Sequence, residues 1–229
     1  MKHLLFLKRF VFVVAVFLCL DLHAEVSYEF RKVLSNGEMS NACIHCMFRD
    51  RQGFIWFGTT SGLERFDGYR FKTFHSRTSD PESLLDDGVD EIHEDQNGFL
   101  WIHTSLGYCV YNPETEKFDR SPEEWMKKMG MHGQPNRVFI DSQKNIWSVV
   151  VGKGCYYFDA KTHKSFLFKM GRMKGDIPNG MVTGITETRG TVVLIYDDGT
   201  MVRLDGHQRK PLWINTYFPD HHSPKGHKC

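Results

Sequence analysis

Residues 50–68 read DRQGFIWFGTTSGLERFDG, and the pattern in this stretch returns three more times. Residues 95–112 read DQNGFLWIHTSLGYCVYN, residues 141–159 DSQKNIWSVVVGKGCYYFD, and residues 188–205 TRGTVVLIYDDGTMVRLD. Each of the first three copies places a tryptophan six residues after its aspartate: Asp50 and Trp56, Asp95 and Trp101, Asp141 and Trp147. The tryptophans are 45 and then 46 positions apart. The fourth copy lacks the tryptophan, and with one residue deleted from its turn Leu194 is expected to fill the slot. Self-similarity at this period marks a repeat architecture and outranks local propensity.

Each copy opens on a turn. Asp50 accepts hydrogen bonds at the first position and Gly53 supplies positive φ; Asp95 and Gly98 repeat that logic. The third copy puts Lys144 where glycine stood, so it must adopt the left-handed conformation or lengthen the turn. Gly58 and Gly62 bracket a second turn. The runs Phe54–Phe57, Phe99–Ile102 and Thr191–Ile195 are apolar without alternation, which implies burial on both faces. Sheets squeezed between neighbouring sheets satisfy this. The expected fold is all-β: blades of four antiparallel strands from a β-propeller, about four of them, in an incomplete, open ring.

The blades are expected near 41–75, 87–119, 135–169 and 181–212 within a propeller region 25–212. In the first, the strands are placed at 42–48, 54–59, 62–67 and 70–74. An earlier strand, Tyr28–Leu34, and a turn at Ser35–Gly37 suggest a partial unit. Residues 213–229 read as a disordered tail; His221, His222, His227 and Cys229 have the spacing of no closed metal site. Between the second and third blades, Ser121-Pro122-Glu123-Glu124 predicts a short helix with a capping box, ended by Gly130. Trp125, Met126 and Met129 share or flank one of its faces. Rim loops carry function in such folds, which makes Trp125 a candidate contact.

The chain has 229 residues, 41% apolar, 14% aromatic and 25% charged, with net charge +1. Without a basic block, nucleic-acid binding has no electrostatic support. The run Lys161, Lys164, Lys169, Arg172, Lys174 is either a solvated surface or a contact for an acidic glycan. Residues 1–24 read as a secretory signal peptide: a basic start, an apolar run over Phe10–Leu20, and a small residue at Ala24. Its removal leaves a net charge of −1 and five cysteines, an odd number that forms no neat disulfide framework. Cys43 and Cys46, three residues apart on a strand, point to opposite faces and read as core thiols rather than a redox or metal pair. Cys109 and Cys155 each lie eight residues after a tryptophan and are expected in one repeated core slot. The nearest thing to a catalytic cluster is Glu91, His93, Glu94 and Asp95. It falls on a strand and turn repeated elsewhere without those residues, which argues for structure. No catalytic, cofactor or metal site is expected.

The motif D-x-x-G-x-[IL]-W followed by G-T, G-L and F-D-G resembles the two-component regulator propeller repeat, most closely in Asp50–Gly68. The resemblance covers about residues 25–212 and weakens in the third and fourth copies. It implies the periplasmic sensor region of a Bacteroides-type hybrid histidine kinase, with an oligosaccharide ligand and no catalytic part in this chain. It implies membrane attachment only through segments downstream of this sequence. Family propellers are seven-bladed, so four repeats are expected to be a truncated N-terminal piece. The alternative is a stand-alone secreted module completed by self-association, such as a homodimer, or by a partner.

Overall fold

In a computed structural model the structure describes residues 43–215. The expected signal peptide, the Tyr28–Leu34 strand, the turn after it and the chain beyond residue 215 lie outside the described residues. What is described consists of four antiparallel sheets, each of four strands in sequence order. The first holds β1 (Ile44–Arg49), β2 (Ile55–Thr59), β3 (Gly62–Phe66) and β4 (Phe71–Phe74). The second holds β5 (Val89–Glu94), β6 (Leu100–Thr104), β7 (Gly107–Asn112) and β8 (Lys117–Asp119). The helix α1 (Pro122–Lys128) follows, then β9 (Arg137–Ile140), β10 (Ile146–Val150), β11 (Gly154–Asp159) and β12 (Lys164–Lys169). The fourth sheet holds β13 (Val182–Thr188), β14 (Thr191–Tyr196), β15 (Met201–Leu204) and β16 (Pro211–Asn215). These are propeller blades in an array that does not close into a ring.

Blades are held by the faces they press together. Trp56 and Leu63 on the first sheet bury against Leu100, Ile102, Cys109 and Tyr111 on the second. Trp101, Tyr108 and Val110 on the other face of the second sheet meet Ile146, Tyr156 and Phe158 on the third. Trp147, Cys155 and Tyr157 meet Val192, Leu194, Val202 and Leu204 on the fourth. Each tryptophan therefore points forward, into the next blade. A strand whose alternate residues face two dry interfaces has no place for polar alternation, so the continuous apolar runs follow from blade stacking.

The first strands form the hub: β1 meets β5, β5 meets β9, and β9 meets β13. The outer strands are shorter or wetter, as in β8, where only the central Phe118 of three residues is buried.

Several local expectations need correction. Leu194 does not fill the tryptophan slot. The hairpin at Arg189–Gly190 closes on the pair Thr188 and Thr191, so Val193, opposite Arg203, stands where Trp56 stands opposite Arg65. Leu194 faces backward onto the third blade. Cys109 and Cys155 do not share a slot either. The turn between β10 and β11 is one residue longer than its counterparts: Cys109 pairs with Ile102, but Cys155 pairs with Val149. One residue of slip turns a side chain to the other face of a sheet, so Cys109 faces backward and Cys155 forward. Both are buried, and burial pushes the Cys109 thiol up to about 12.

Cys43 is exposed just ahead of β1 and is not a core thiol. Strand β16 carries order three residues past the expected tail boundary at 213, because Trp213 and Ile214 pair with Arg203 and Val202. The helix forms at Pro122–Lys128 and turns out at Gly130 with φ 74°, but Ser121 makes no side-chain cap. Its own N–H donates to Asp119 Oδ1 at 2.9 Å instead. Lys144 does adopt the left-handed conformation, with φ 68°.

Candidate functional site

The repeated aspartates and tryptophans form one device, used three times. Asp50 Oδ1 accepts from the N–H groups of Gln52 (3.0 Å) and Phe54 (2.9 Å), while its Oδ2 accepts from the Trp56 indole at 2.7 Å. Asp141 takes Gln143 and Asn145 N–H on one oxygen, both at 2.9 Å, and the Asn145 amide (3.1 Å) and Trp147 indole (2.9 Å) on the other. Asp95 is looser, with Asn97 and Phe99 at 2.8 and 3.0 Å and the Trp101 indole at 3.5 Å. Burial pushes the Asp95 carboxyl up against the pull of these donors. The carboxylate thus shapes the turn and anchors the tryptophan that seals the next blade interface.

The other motif glycines serve the same frame. Gly53 and Gly98 have φ of 95° and 88° in the turns. Gly62 donates its N–H to Asp87 O at 2.8 Å. Gly58 is tight against the hub: a methyl group there would lie 2.5 Å from Cys46 Sγ and 2.9 Å from the Val89 carbonyl oxygen. The turns also lock blade to blade. Glu94 Oε1 accepts from Arg51 N–H at 3.1 Å, and Glu187 Oε2 accepts from Ser142 N–H at 2.8 Å. Lys144 Nζ reaches Glu94 Oε2 at 3.1 Å, although its own blade has no glutamate at that position. These residues are architectural and leave little free to bind anything.

Free chemistry collects at the hub. A cavity of about 290 Å³ is lined from all four blades: by Cys46 of β1, Asp90, Glu91 and His93 of β5, Arg137 and Phe139 of β9, and Ile185 of β13. Cys46, Glu91 and Arg137 occupy one slot, since each pairs with the residue two past its tryptophan: Gly58, His103 and Val149. In the fourth blade Gly184 takes that slot, opposite Ile195. The first, second and fourth blades each carry a register shift just ahead of it, at Ile44/Cys46, Val89/Glu91 and Val182/Gly184. Such bulges re-aim side chains and recur next to sites.

Glu91 is the centre of the polar network. Arg137 Nη1 donates to its Oε1 at 2.6 Å, and the Tyr108 hydroxyl donates to its Oε2 at 3.1 Å while accepting from the Val138 N–H at 2.9 Å. His93 Nε2 lies 3.9 Å from the same carboxylate. Burial raises the Glu91 pKa, but the nearby His93 ring, the Arg137 charge and the Tyr108 hydroxyl outweigh it, so the carboxyl ends below its ordinary value. Burial also drives the Tyr108 phenol far up, so it stays a donor. Beside them Asp90 Oδ1 and His103 Nδ1 are 2.6 Å apart. The Cys46 thiol, pushed up to about 11 chiefly by burial, is protonated and unreactive. Phe139 is half-buried, with the His93 ring edge-on at 5.7 Å. Glu91 and His93 are thus part of the hub, whereas Glu94 and Asp95 belong to the blade-locking turns. Among the described residues no group of three or more His, Cys, Asp or Glu side chains is arranged to hold a metal ion.

Trp125 lies elsewhere, at the outer edge of the second blade. Its indole donates to Asp119 Oδ2 at 2.8 Å and packs edge-on against Phe99. It lines an open groove of about 590 Å³ with Lys117, Asp119 and Arg120. Arg120 there is committed to the Ser83 and Leu84 carbonyls at 3.0 and 2.7 Å. The basic residues Lys161, Lys164, Lys169, Arg172 and Lys174 are each exposed.

Residues 38–61 match the model of the two component regulator propeller family. The structure is similar to the extracellular domain of BT3049, assigned to a hybrid two component system of B. thetaiotaomicron, with 23% identity and a TM-score of 0.58. It is also similar to that of BT4673, assigned to a one component system of the same bacterium, with 18% identity and a TM-score of 0.50. The matches cover 81% and 77% of this chain but 26% and 25% of those chains. This chain therefore spans about a quarter of the length of the solved domains it matches. None of the curated proteins compared matches it.

Proposed function

We propose that this chain is the sensory propeller region of an extracytoplasmic two-component receptor, and that its task is recognition of an oligosaccharide rather than catalysis. The propeller repeat at 38–61 and the likeness to extracellular domains support the receptor part. The observation that carries the recognition part is the hub cavity, where polar groups from the second and third blades converge beside an aromatic ring. Concave sites with a few fixed polar groups are the usual form of small-ligand sites. Glu91 is already hydrogen-bonded to Tyr108 and paired with Arg137, an arrangement that orients a ligand without activating a nucleophile. In a receptor, binding would shift the balance between two arrangements of the subunits across the membrane. We place the chain in the periplasm, carried there by the signal peptide at 1–24, and as the N-terminal part of a longer sensor whose membrane and kinase segments lie downstream. The test is a calorimetric screen of the purified full chain against oligosaccharide fragments of polysaccharides. Saturable binding of one glycan class supports the reading; no binding across the panel refutes it.

A second reading, self-association, is favoured by the forward face of the fourth blade. Val193, Ile195, Met201 and Arg203 continue there the series of faces that the first three blades bury, and Trp213 beside them is exposed. A second copy whose first blade covers this face would give a dimer. Light scattering on the full chain decides: a monodisperse dimer supports this reading and a monomer ends it.

A further inference from the structure

We propose that the hub cavity is the sugar site, and that it takes a single neutral, hydroxyl-rich ring rather than an acidic one. This deepens the recognition reading above and rests on it.

Three observations converge. The first is placement. In a repeat protein, positions that keep the frame repeat their residue type, as Trp56, Trp101 and Trp147 do. The hub slot keeps its position and changes its chemistry at each blade: Cys46, Glu91, Arg137, Gly184. The next position on the same face varies less, with Phe48, His93, Phe139 and Thr186 opposite the tryptophan slot, and His93 and Phe139 line the cavity. Bulges precede the hub slot in three blades, although the sheets pair regularly beyond them.

The second is charge. Asp90 and Glu91 carry two negative charges and Arg137 one positive, and that guanidinium is already spent on Glu91 at 2.6 Å. The cavity also holds Asp90, whose side chain is half exposed and lies 2.6 Å from the His103 ring, with no Lys or Arg paired to it among the described residues. A uronate or sulfated ring would bring like charge to it. Hydroxyl groups instead donate to carboxylate oxygens in charge-assisted bonds. The surface of the ligand that faces Phe139 and Ile185 must be apolar, as the C–H face of a sugar ring is.

The third is size. About 290 Å³ falls just below the range of about 300–1,000 Å³ typical of pockets for drug-sized ligands, which suits one ring and not an extended chain. The outer groove beside Trp125 is larger and open, but Trp125 and Arg120 there are tied to the protein itself.

The experiment is titration of the purified full chain with a panel of neutral mono- and disaccharides and the matching uronic acids. The variants are Glu91→Gln, Asp90→Asn and Phe139→Ala, with Trp125→Ala as the control in the outer groove. Neutral sugars are expected to bind, with the uronic acids about tenfold weaker or more. Glu91→Gln and Phe139→Ala each weaken the neutral sugar by about tenfold. Asp90→Asn, at an exposed position that does not endanger folding, narrows the gap between neutral and acidic sugars. Trp125→Ala changes nothing. Equal or preferred binding of uronic acids overturns the neutral assignment. Sugar binding that survives Asp90→Asn with its selectivity unaltered, or that is lost only in Trp125→Ala, overturns the hub as the site while leaving oligosaccharide recognition standing. Absence of binding by every sugar sinks both.

Discussion

Asp141→Ala should be the most damaging of three chemically identical substitutions, and the reason can be worked from distances. The carboxylate of Asp141 accepts four hydrogen bonds within 3.1 Å. One donor, the N–H of exposed Gln143, finds water when the carboxylate is gone. The Asn145 groups and the Trp147 indole N–H are buried and do not. A buried donor left without a partner costs about 1–3 kcal/mol. Part of that is offset because a buried carboxylate is itself costly to desolvate. A net loss of about 3 kcal/mol follows. Asp50→Ala strands the Trp56 indole and the half-buried Phe54 N–H, for about 2 kcal/mol. Asp95→Ala strands less: Asn97 is exposed, the indole contact is 3.5 Å, and burial already works against the ionised side chain, which leaves the half-buried Phe99 N–H as the main loss. Its loss should be about 1 kcal/mol.

Domains hold about 5–15 kcal/mol in total, so these differences are large. For a chain of this size each kcal/mol moves the melting temperature by about 2–4 °C. Asp141→Ala should therefore melt about 6–12 °C lower and Asp95→Ala about 2–4 °C lower. Urea titrations followed by tryptophan fluorescence, with calorimetry, give both numbers. The order is what matters. Should Asp95→Ala cost as much as Asp141→Ala, the indole hydrogen bond is not what makes the turn aspartate important.

Three further outcomes follow from the geometry. Arg189 is exposed with φ 49° ahead of Gly190, a turn that asparagine suits better, so Arg189→Asn should stabilise by about 0.5–1 kcal/mol in urea titration. Gly58→Ala should cost about 1–3 kcal/mol by overpacking, and Cys46→Ala in the same chain should restore only part of it, because the Val89 carbonyl oxygen remains 2.9 Å away. Glu91 titrates lower in the fold, so its stabilising contribution is present above the unfolded value of about 4.3 and is lost as pH falls through the lower folded value. Asp95, held higher by burial, has the opposite sign, and its ionised form weighs on the fold above its folded value. Melting curves from pH 3 to pH 6, in steps of about half a unit, should therefore be steeper with pH in wild type than in Glu91→Gln; identical curves would remove Glu91 from the account.

The frame of this molecule was legible because it rests on chemistry that tolerates little exchange. A turn that needs an acceptor at its first residue, and an interface that needs a large ring with an N–H to meet that acceptor, leave a D-to-W spacing visible at a glance. Where the chain replaces either partner the reading slips. In the fourth blade Thr188 stands for the aspartate and Val193 for the tryptophan, and nothing in an apolar run of Val192, Val193, Leu194 and Ile195 says which residue faces forward. Between β10 and β11 one added residue turned Cys155 to the face opposite Cys109, a change that residue counting from the tryptophan cannot see. The hub was hidden for a related reason. Cys46, Glu91 and Arg137 are spaced like the tryptophans, but their equivalence appears only through strand pairing, because each of the first two follows a bulge. Their types also differ, so they look like noise against a repeated motif. That variation carries meaning: Glu91 and Arg137 also tie the second blade to the third, yet a thiol, a carboxylate and a guanidinium at one slot facing one cavity break the plan that the packed positions repeat. In a repeat fold, the constant residues report how the blades hold together, and the slot that changes from blade to blade is where an asymmetric ligand can be read.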